Sequence, residues 1–572
     1  MKINIDKVPF SRYGSYLAFS QKDGCRNIDM RILYGGKWND PYTLFRLFPV
    51  KEGKVLSFEV EASPWLLVMK TTEGNIEIYV KGSEGAVIRG NGVSLLLEPA
   101  DERMVQETVA YDSISLNFHY KNIDTWCYMQ TIAGSIAKEE ATEVERILIQ
   151  PQGQTFTLYL ETSLEQKAFA APTLDMKSDI RQTKTEYTEW AQAFGEWPQK
   201  YAASAEIALY LLWSSVVAPK GYITRNALLM SKSRMHYIWS WDHCFNALAL
   251  IDYHPGLAWD QLMVLLDNQM ENGALPDRIG AKNSYKGSTK PPIHGWCAQK
   301  ILDTGFEPEK MELEACYKKL TQWTEWWFRE RDDDKDGICQ YNKGVESGWD
   351  NGSTFDEALP VESPDLSAFL LLQMSFLENL AEKLGKNEEA KEWRVRYHQL
   401  MDAFLNQLWT DDGFVTVYGP EHRVVNSQSF LNHIPIVLGE QLPKQYFDKL
   451  VKMIEREGHF LTPKGIATES LESGKYKKTT QDWKGSVYWR GCIWAPVIYL
   501  VADGLRRGGA MELVKEISRR YCEMLNNSDG FYENYDAVSG VGYDDPGYSW
   551  TVCVFTMLIK EFLDKNFEGE AR

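Results

Sequence analysis

The chain has 572 residues and a formal net charge of −18, with 62 Lys and Arg against 80 Asp and Glu. Nucleic acid and anionic membranes both need a basic surface, so neither is expected as a partner, and a neutral or weakly charged small substrate fits better. The length exceeds one ordinary domain, and 44% hydrophobic residues allow a large core.

Up to about Thr162 the chain alternates apolar and polar residues in short runs such as NIEIYVKG, SISLNFHY and TFTLYLE, broken by Gly, Asn, Asp and Pro. Period-two alternation with frequent turns predicts an antiparallel β-sandwich, assigned to residues 1–165. Residues 166–198 read as a linker that becomes helical, through QTKTEYTEWAQAF. From 199 to 572 the period becomes helical, in stretches such as DHCFNALALID, DLSAFLLLQMSFLENLAEKLG and SWTVCVFTMLIKEFL. Roughly a dozen such stretches suit an (α/α)6 barrel, and the absence of a fixed-period repeat argues against a solenoid.

Nine cysteines are scattered without CxxC pairs, so neither a zinc site nor a disulfide framework is indicated. The N-terminus MKINIDKVPF lacks an apolar run of signal-peptide length, and the expectation is a soluble cytoplasmic protein. A leader already removed would make it periplasmic instead.

The most informative stretch is VESGWDNGSTFDE, where Asp350 follows Trp349 directly. The bland reading is a solvated loop acid beside a surface indole. Comparable clusters recur in YWRGCIW, with Trp489, Arg490 and Trp494, and in YENYDAVSG, with Glu533 and Tyr535, followed by Trp550. The 20 tryptophans supply flat faces for pyranose rings, and acids and amides supply partners for hydroxyls. Glycoside hydrolysis needs one carboxylic acid and one carboxylate, so Asp350 is the candidate acid and Glu533 the candidate base. Burial beside Trp349 is expected to raise the pKa of Asp350.

Trp239, Trp241 and Asp242 in WSWDHC are candidates for the sugar floor and a hydroxyl clamp, although Asp242 also suits a helix N-cap. Asn268 and Gln269 close another helix and are candidates for hydroxyl contacts. Arg490 suits either orienting Glu533 or tying loops together. Asp332, Asp334, Asp336 and Gly337 match the opening of a calcium loop, but Lys343 stands where its bidentate glutamate belongs. Structural calcium, completed by carbonyls or a distant acid, is therefore an open expectation, and no other cofactor is expected.

The segments WSWDHCFNALAL, ESGWDNG, YWRGCIWAP and ENYDAVSGVG, in that order, resemble stretches of glycoside hydrolase family 63 across residues 199 to 566. The ESGWD run is also similar to one in the trehalases of family 37. The resemblance implies an inverting (α/α)6 glycosidase, with Asp350 matching the general acid and Glu533 the general base. It places Trp241 and Asp242 at the nonreducing sugar and Trp489, Arg490 and Trp494 along the pocket. An exo-acting α-glucosidase on a disaccharide or short α-glucoside is the expected activity. Trehalase, mannosyl- or glucosylglycerate hydrolase and α-L-rhamnosidase are the alternatives within enzymes. A catalytically silent carbohydrate-binding protein is the alternative outside them.

Overall fold

The computed structural model describes residues 1–564 except 23, 25, 38–39, 101–105, 141–144 and 478–487. The first part holds two antiparallel sheets. One runs in the spatial order Leu17–Ser20, Ile28–Lys37, Asp40–Lys51, Ser94–Pro99, Glu145–Gln150 and Ser135–Glu140, with Lys54–Val55 paired to the third strand. The other has eight strands, from Gln106–Tyr111 at one edge to Glu59–Ser63 at the opposite edge. Alternation in the sequence becomes alternation in burial. Leu116, Phe118 and Tyr120 of one strand and Phe156, Leu158 and Leu160 of another all point into the core between the sheets.

Twelve α-helices follow among the described residues. They are α1 (Met176–Ala193), α2 (Ala202–Ser215), α3 (Asp242–Leu250), α4 (Pro255–Leu266), α5 (His294–Asp303), α6 (Lys310–Glu330), α7 (Pro364–Lys383), α8 (Asn387–Gln407), α9 (Lys444–Ile454), α10 (Ala495–Arg507), α11 (Met511–Asn526) and α12 (Ser549–Leu558). A run of 3₁₀ turns, Phe430–Gln441, sits between α8 and α9. Six of these elements close a ring by successive packing: α3, α5, α7, the 430–441 segment, α10, α12 and back to α3. Outside them lie α2, α4, α6, α8, α9 and α11, each packed on an inner neighbour. Six inner and six outer elements make the (α/α)6 barrel. Burial shows the difference between the rings: every residue of α3 and α12 is buried, whereas α9 and α11 bury one stripe only.

The strand-rich part and the N-terminal segment brace the barrel's loops. Lys232 Nζ, almost fully buried, reaches Ser11 Oγ at 3.1 Å and the Val216 carbonyl at 3.2 Å. Lys7 Nζ donates to Tyr532 Oη at 2.9 Å, and Arg31 donates to the Ser233 carbonyl at 2.8 Å. Lys282 donates to the Asp124 carbonyl at 2.8 Å and to Thr125 Oγ1 at 3.0 Å. The loops held in this way lead to α3, α5 and α12.

The eight described cysteines are all buried and form no disulfide, and Cys25 lies outside the described residues. Among the described residues no helix is long and apolar enough to cross a membrane.

Candidate active site

The loops that lead into the inner helices carry the candidate chemistry. Asp242 is the first residue of α3, Asp350 lies ahead of α7, Tyr488 to Trp494 lead into α10, and Glu533 precedes α12. These loops are bonded to one another. Trp489 N donates to Asn351 Oδ1 at 2.9 Å and Arg490 Nε to the Asn351 carbonyl at 2.7 Å, which fastens the Asp350 loop to the Tyr488 loop. Tyr488 Oη donates to Glu533 Oε1 at 3.0 Å, which fastens that loop in turn to the second carboxyl. Trp550 Nε1 donates to the Glu533 carbonyl at 3.2 Å.

The tryptophans form a stacked wall behind these acids. Trp489 lies on Trp494 with ring centroids 3.9 Å apart and an angle of 8°, and Trp349 stacks on Trp489 at 4.8 Å. Trp241 and Trp494 meet Trp550 edge-on at 6.2 and 5.4 Å. Gly348 makes this packing attainable: its φ is +77°, and a Cβ there would stand 2.5 Å from the Trp241 ring. Trp239 is the least covered of these tryptophans, 8% exposed, and faces the Arg278 guanidinium at 5.6 Å.

The carboxyls differ in setting. Asp350 keeps 37% of its side-chain surface accessible, yet protein surrounds it, so it opens to a cavity instead of bulk water. Burial lifts its pKa, Lys290 pulls it back, Asp277 pushes it up again, and the balance lies above the usual aspartate value. Glu533 is 5% exposed. Burial and then the nearby Asp544 hold its pKa well above the usual range, against the Tyr488 hydrogen bond. Asp242 is pushed up to about 8, chiefly by burial, and its Oδ2 meets no partner among the described residues. It stands one residue inside the helix and makes no cap, so the capping alternative does not hold.

The sequence profile of the mannosylglycerate hydrolase MGH1-like glycoside hydrolase domain matches residues 235–551, more than half of the chain. The chain belongs to this glycoside hydrolase family, within family 63. The mannosylglycerate hydrolase of Rubrobacter radiotolerans is 22% identical over 412 residues, 56% of this chain and 90% of that one. Human trehalase is 25% identical over 262 residues, 40% of this chain and 42% of its own. Among solved structures, a GH63 mannosylglycerate hydrolase from Thermus thermophilus in complex with glucose superposes with a TM-score of 0.52 at 20% identity, covering 61% of this chain and 98% of that one. The strand-rich first part lies outside the matched profile.

In this glycoside hydrolase the other candidates are placed as follows. Arg490 ties loops: besides Asn351 it pairs with Asp356, while Tyr488 is the residue that holds Glu533. Tyr535 shapes the Glu533 turn, donating to the Gly530 carbonyl at 2.8 Å. The amides of Asn268 and Gln269 are taken up at the end of α4, by the carbonyls of Tyr222 and Val264 and of Gly273 and Lys319, each at 2.8 Å. The structure does not bring these two amides to the acids.

Lys290, Asp277 and Arg278, which nothing in the sequence marks, stand inside the site, as does Tyr488, which the sequence places in an aromatic cluster without a role. Arg278 donates to Asp277 Oδ2 at 2.6 Å and lies over the Tyr285 ring at 4.0 Å. The acidic loop is also completed from outside. Ligand atoms of Asp334, Asp336, Glu362 and His422 lie within 4.8 Å of one another, with Asp332 alongside. Glu362 comes from the strand Val361–Glu362 and supplies the acid that Lys343 does not. Burial and then Asp336 push it up to about 8, and its Oε2 has no partner among the described residues.

Proposed function

We propose that the protein is an exo-acting inverting α-glycosidase for a disaccharide or short α-glycoside, with Asp350 as general acid and Glu533 as general base. The observation that carries this is the bonded path Asn351–Trp489–Tyr488–Glu533, which ties two acids from distant turns to one mouth of the barrel. Asp350 protonates the glycosidic oxygen. Glu533 takes a proton from the water that attacks the opposite face, which needs a carboxyl separation of about 6.5–9.5 Å. Burial raises the Asp350 pKa, which suits a proton donor, and the Tyr488 hydrogen bond favours the ionised form that Glu533 needs as a base. The stacked indoles of Trp349, Trp489 and Trp494, each at most 2% exposed, stiffen the loops that carry the acids instead of facing the sugar, and Asp242 supplies a partner for its hydroxyls.

A glycerate-type aglycone is a second reading. It is favoured by the positive groups at the mouth, Arg278 beside Asp277 and Arg234 facing Glu533. A structural divalent cation, calcium by the chemistry of its oxygen donors, also fits the buried Glu362 Oε2, which has no hydrogen-bond partner among the described residues. Asp334, Asp336 and Glu362 would hold it through carboxylate oxygens, with the His422 ring beside them, pinning the loop that leads to Asp350; its role is structural. Hydrolysis of trehalose, short α-glucosides and mannosylglycerate by wild type and by Asp350→Asn tests the reading. Turnover by wild type that survives unchanged in D350N rejects the assignment.

A further inference from the structure

Lys290 stands out among the charged groups of the site because nothing about its surroundings in sequence, GSTKPPIHG, marks it. Its backbone is fixed from both sides. A residue before proline is held to extended conformations, and here Pro291 and Pro292 come next. Thr289 Oγ1 anchors the preceding residue to the Leu275 carbonyl at 3.1 Å. The ammonium that results is 8% exposed and has three acceptors around it: the Val345 carbonyl at 2.8 Å, Asp350 Oδ1 at 3.5 Å and Asp277 Oδ1 at 3.5 Å. The Val345 carbonyl lies at full hydrogen-bond distance and the two carboxylates at ion-pair distance, so the nearest partners of the ammonium are protein groups. One of those groups lies in the turn Gly344–Ser347 just ahead of Asp350, so both the backbone and the carboxyl of that loop are tied to one nitrogen.

We propose that Lys290 is a positioning residue for the reaction, holding the Asp350 carboxyl towards the cavity and setting, jointly with Asp277, the pH at which that carboxyl gives up its proton. Asp277 is shared with Arg278, whose Nη1 lies 2.6 Å from its other oxygen, so Asp277 only partly neutralises the lysine. The ionisable groups that face Asp350 are Lys290, Asp277, Asp242 and Tyr488, each from a different segment. Lysine is the one cation among them. Burial works against its charge, and Asp350, Asp277 and Asp242 together outweigh that, so it stays an ammonium throughout the working range. The arrangement keeps the proton donor from binding its proton too tightly, a hazard that burial and Asp277 would otherwise create.

This inference rests on Asp350 being the acid, and the experiment separates the two claims. Carbon-13 NMR of protein labelled at the aspartate carboxyls follows the Asp350 titration, its signal being the one absent from D350N. In K290Q the midpoint is expected about 1 unit above wild type, because a cation that favours the carboxylate has gone. In D277N, which keeps the lysine, it is expected below wild type, because a like charge has gone. A midpoint that stays in place in both variants overturns the proposal, since loss of a merely structural tie lowers the melting temperature without moving the titration. The alkaline limb of kcat/KM is expected to move with the midpoint. A midpoint that moves while the limb stays leaves Lys290 acting on Asp350 and overturns Asp350 as the proton donor.

Discussion

Two buried clusters of charge in the inner ring use the same residue types to opposite effect. Towards the C-terminal ends of α5 and α10, Asp503 is fully buried and meets Lys300 Nζ at 2.8 Å, Arg506 at 3.0 Å, Arg507 at 3.2 Å and Trp296 Nε1 at 2.9 Å. Burial works against its ionised form, and Lys300 with the two arginines overwhelms that, so its pKa falls far below the usual carboxylate range. At the mouth, burial pushes Asp242, Asp350 and Glu533 upward, and the few cations beside them do not reverse it. A carboxylate whose every lone pair is answered holds helices together. One left short of partners beside a cavity is available for chemistry.

The largest effect that would break this contrast is on turnover. Glu533→Gln and Asp350→Asn are each expected to lower kcat by about 10²–10⁴-fold, with melting temperature nearly unchanged, as steady-state kinetics and calorimetry would show. Asp503→Asn should do the reverse. Three cations lose their counter-charge, so unfolding by denaturant is expected to become easier by about 3–5 kcal/mol while the folded fraction keeps its turnover. Wild-type Asp503 contributes stability that is present above its unfolded-state pKa and lost only as pH falls towards its depressed folded value.

The opposite sign applies at the mouth. The stability tied to the held proton of Asp242 is full below the unfolded value of 3.8 and is lost as pH rises through about 8. In Asp242→Asn, denaturation at a series of pH values should therefore show a flatter slope across that window. Tyr488→Phe sharpens the picture of the base. It removes a hydrogen bond that favours the ionised form of Glu533, so the acidic limb of kcat/KM is expected to move to higher pH, with a loss of roughly tenfold in rate. The smallest effect concerns the acidic loop. Calcium is expected to raise the melting temperature of wild type and not that of Glu362→Gln, by scanning calorimetry with and without chelator.

Much of this was legible in the sequence, for stated reasons. Alternation exposed the sandwich and helical period the dozen helices, but not which ring each joins: α3 carries Asp242, His243 and Asn246 and is still buried all round. Asp350, Glu533 and the tryptophans stood out because acids, glycines and indoles cluster within a few residues of each other. The inner element 430–441 did not stand out, as Pro435 and the left-handed Gly439 interrupt its helical period. Lys290 and Asp277 lie outside the clusters that stand out in the sequence, and they acquire meaning only through partners from other loops. Asn268 and Gln269 illustrate the converse. Polar amides just beyond a helix read as ligand contacts, yet Asn268 answers the unpaired Val264 carbonyl of α4. Glu362 completes the acidic cluster from a strand that a linear calcium-loop pattern never reaches.

The opposition of Asp350 and Glu533 across a water molecule is tested most directly by proton NMR of the sugar first released from an α-glycoside. Release of the β-anomer, followed by slow mutarotation, is the predicted result. Release of the α-anomer would mean retention of configuration and would contradict the account.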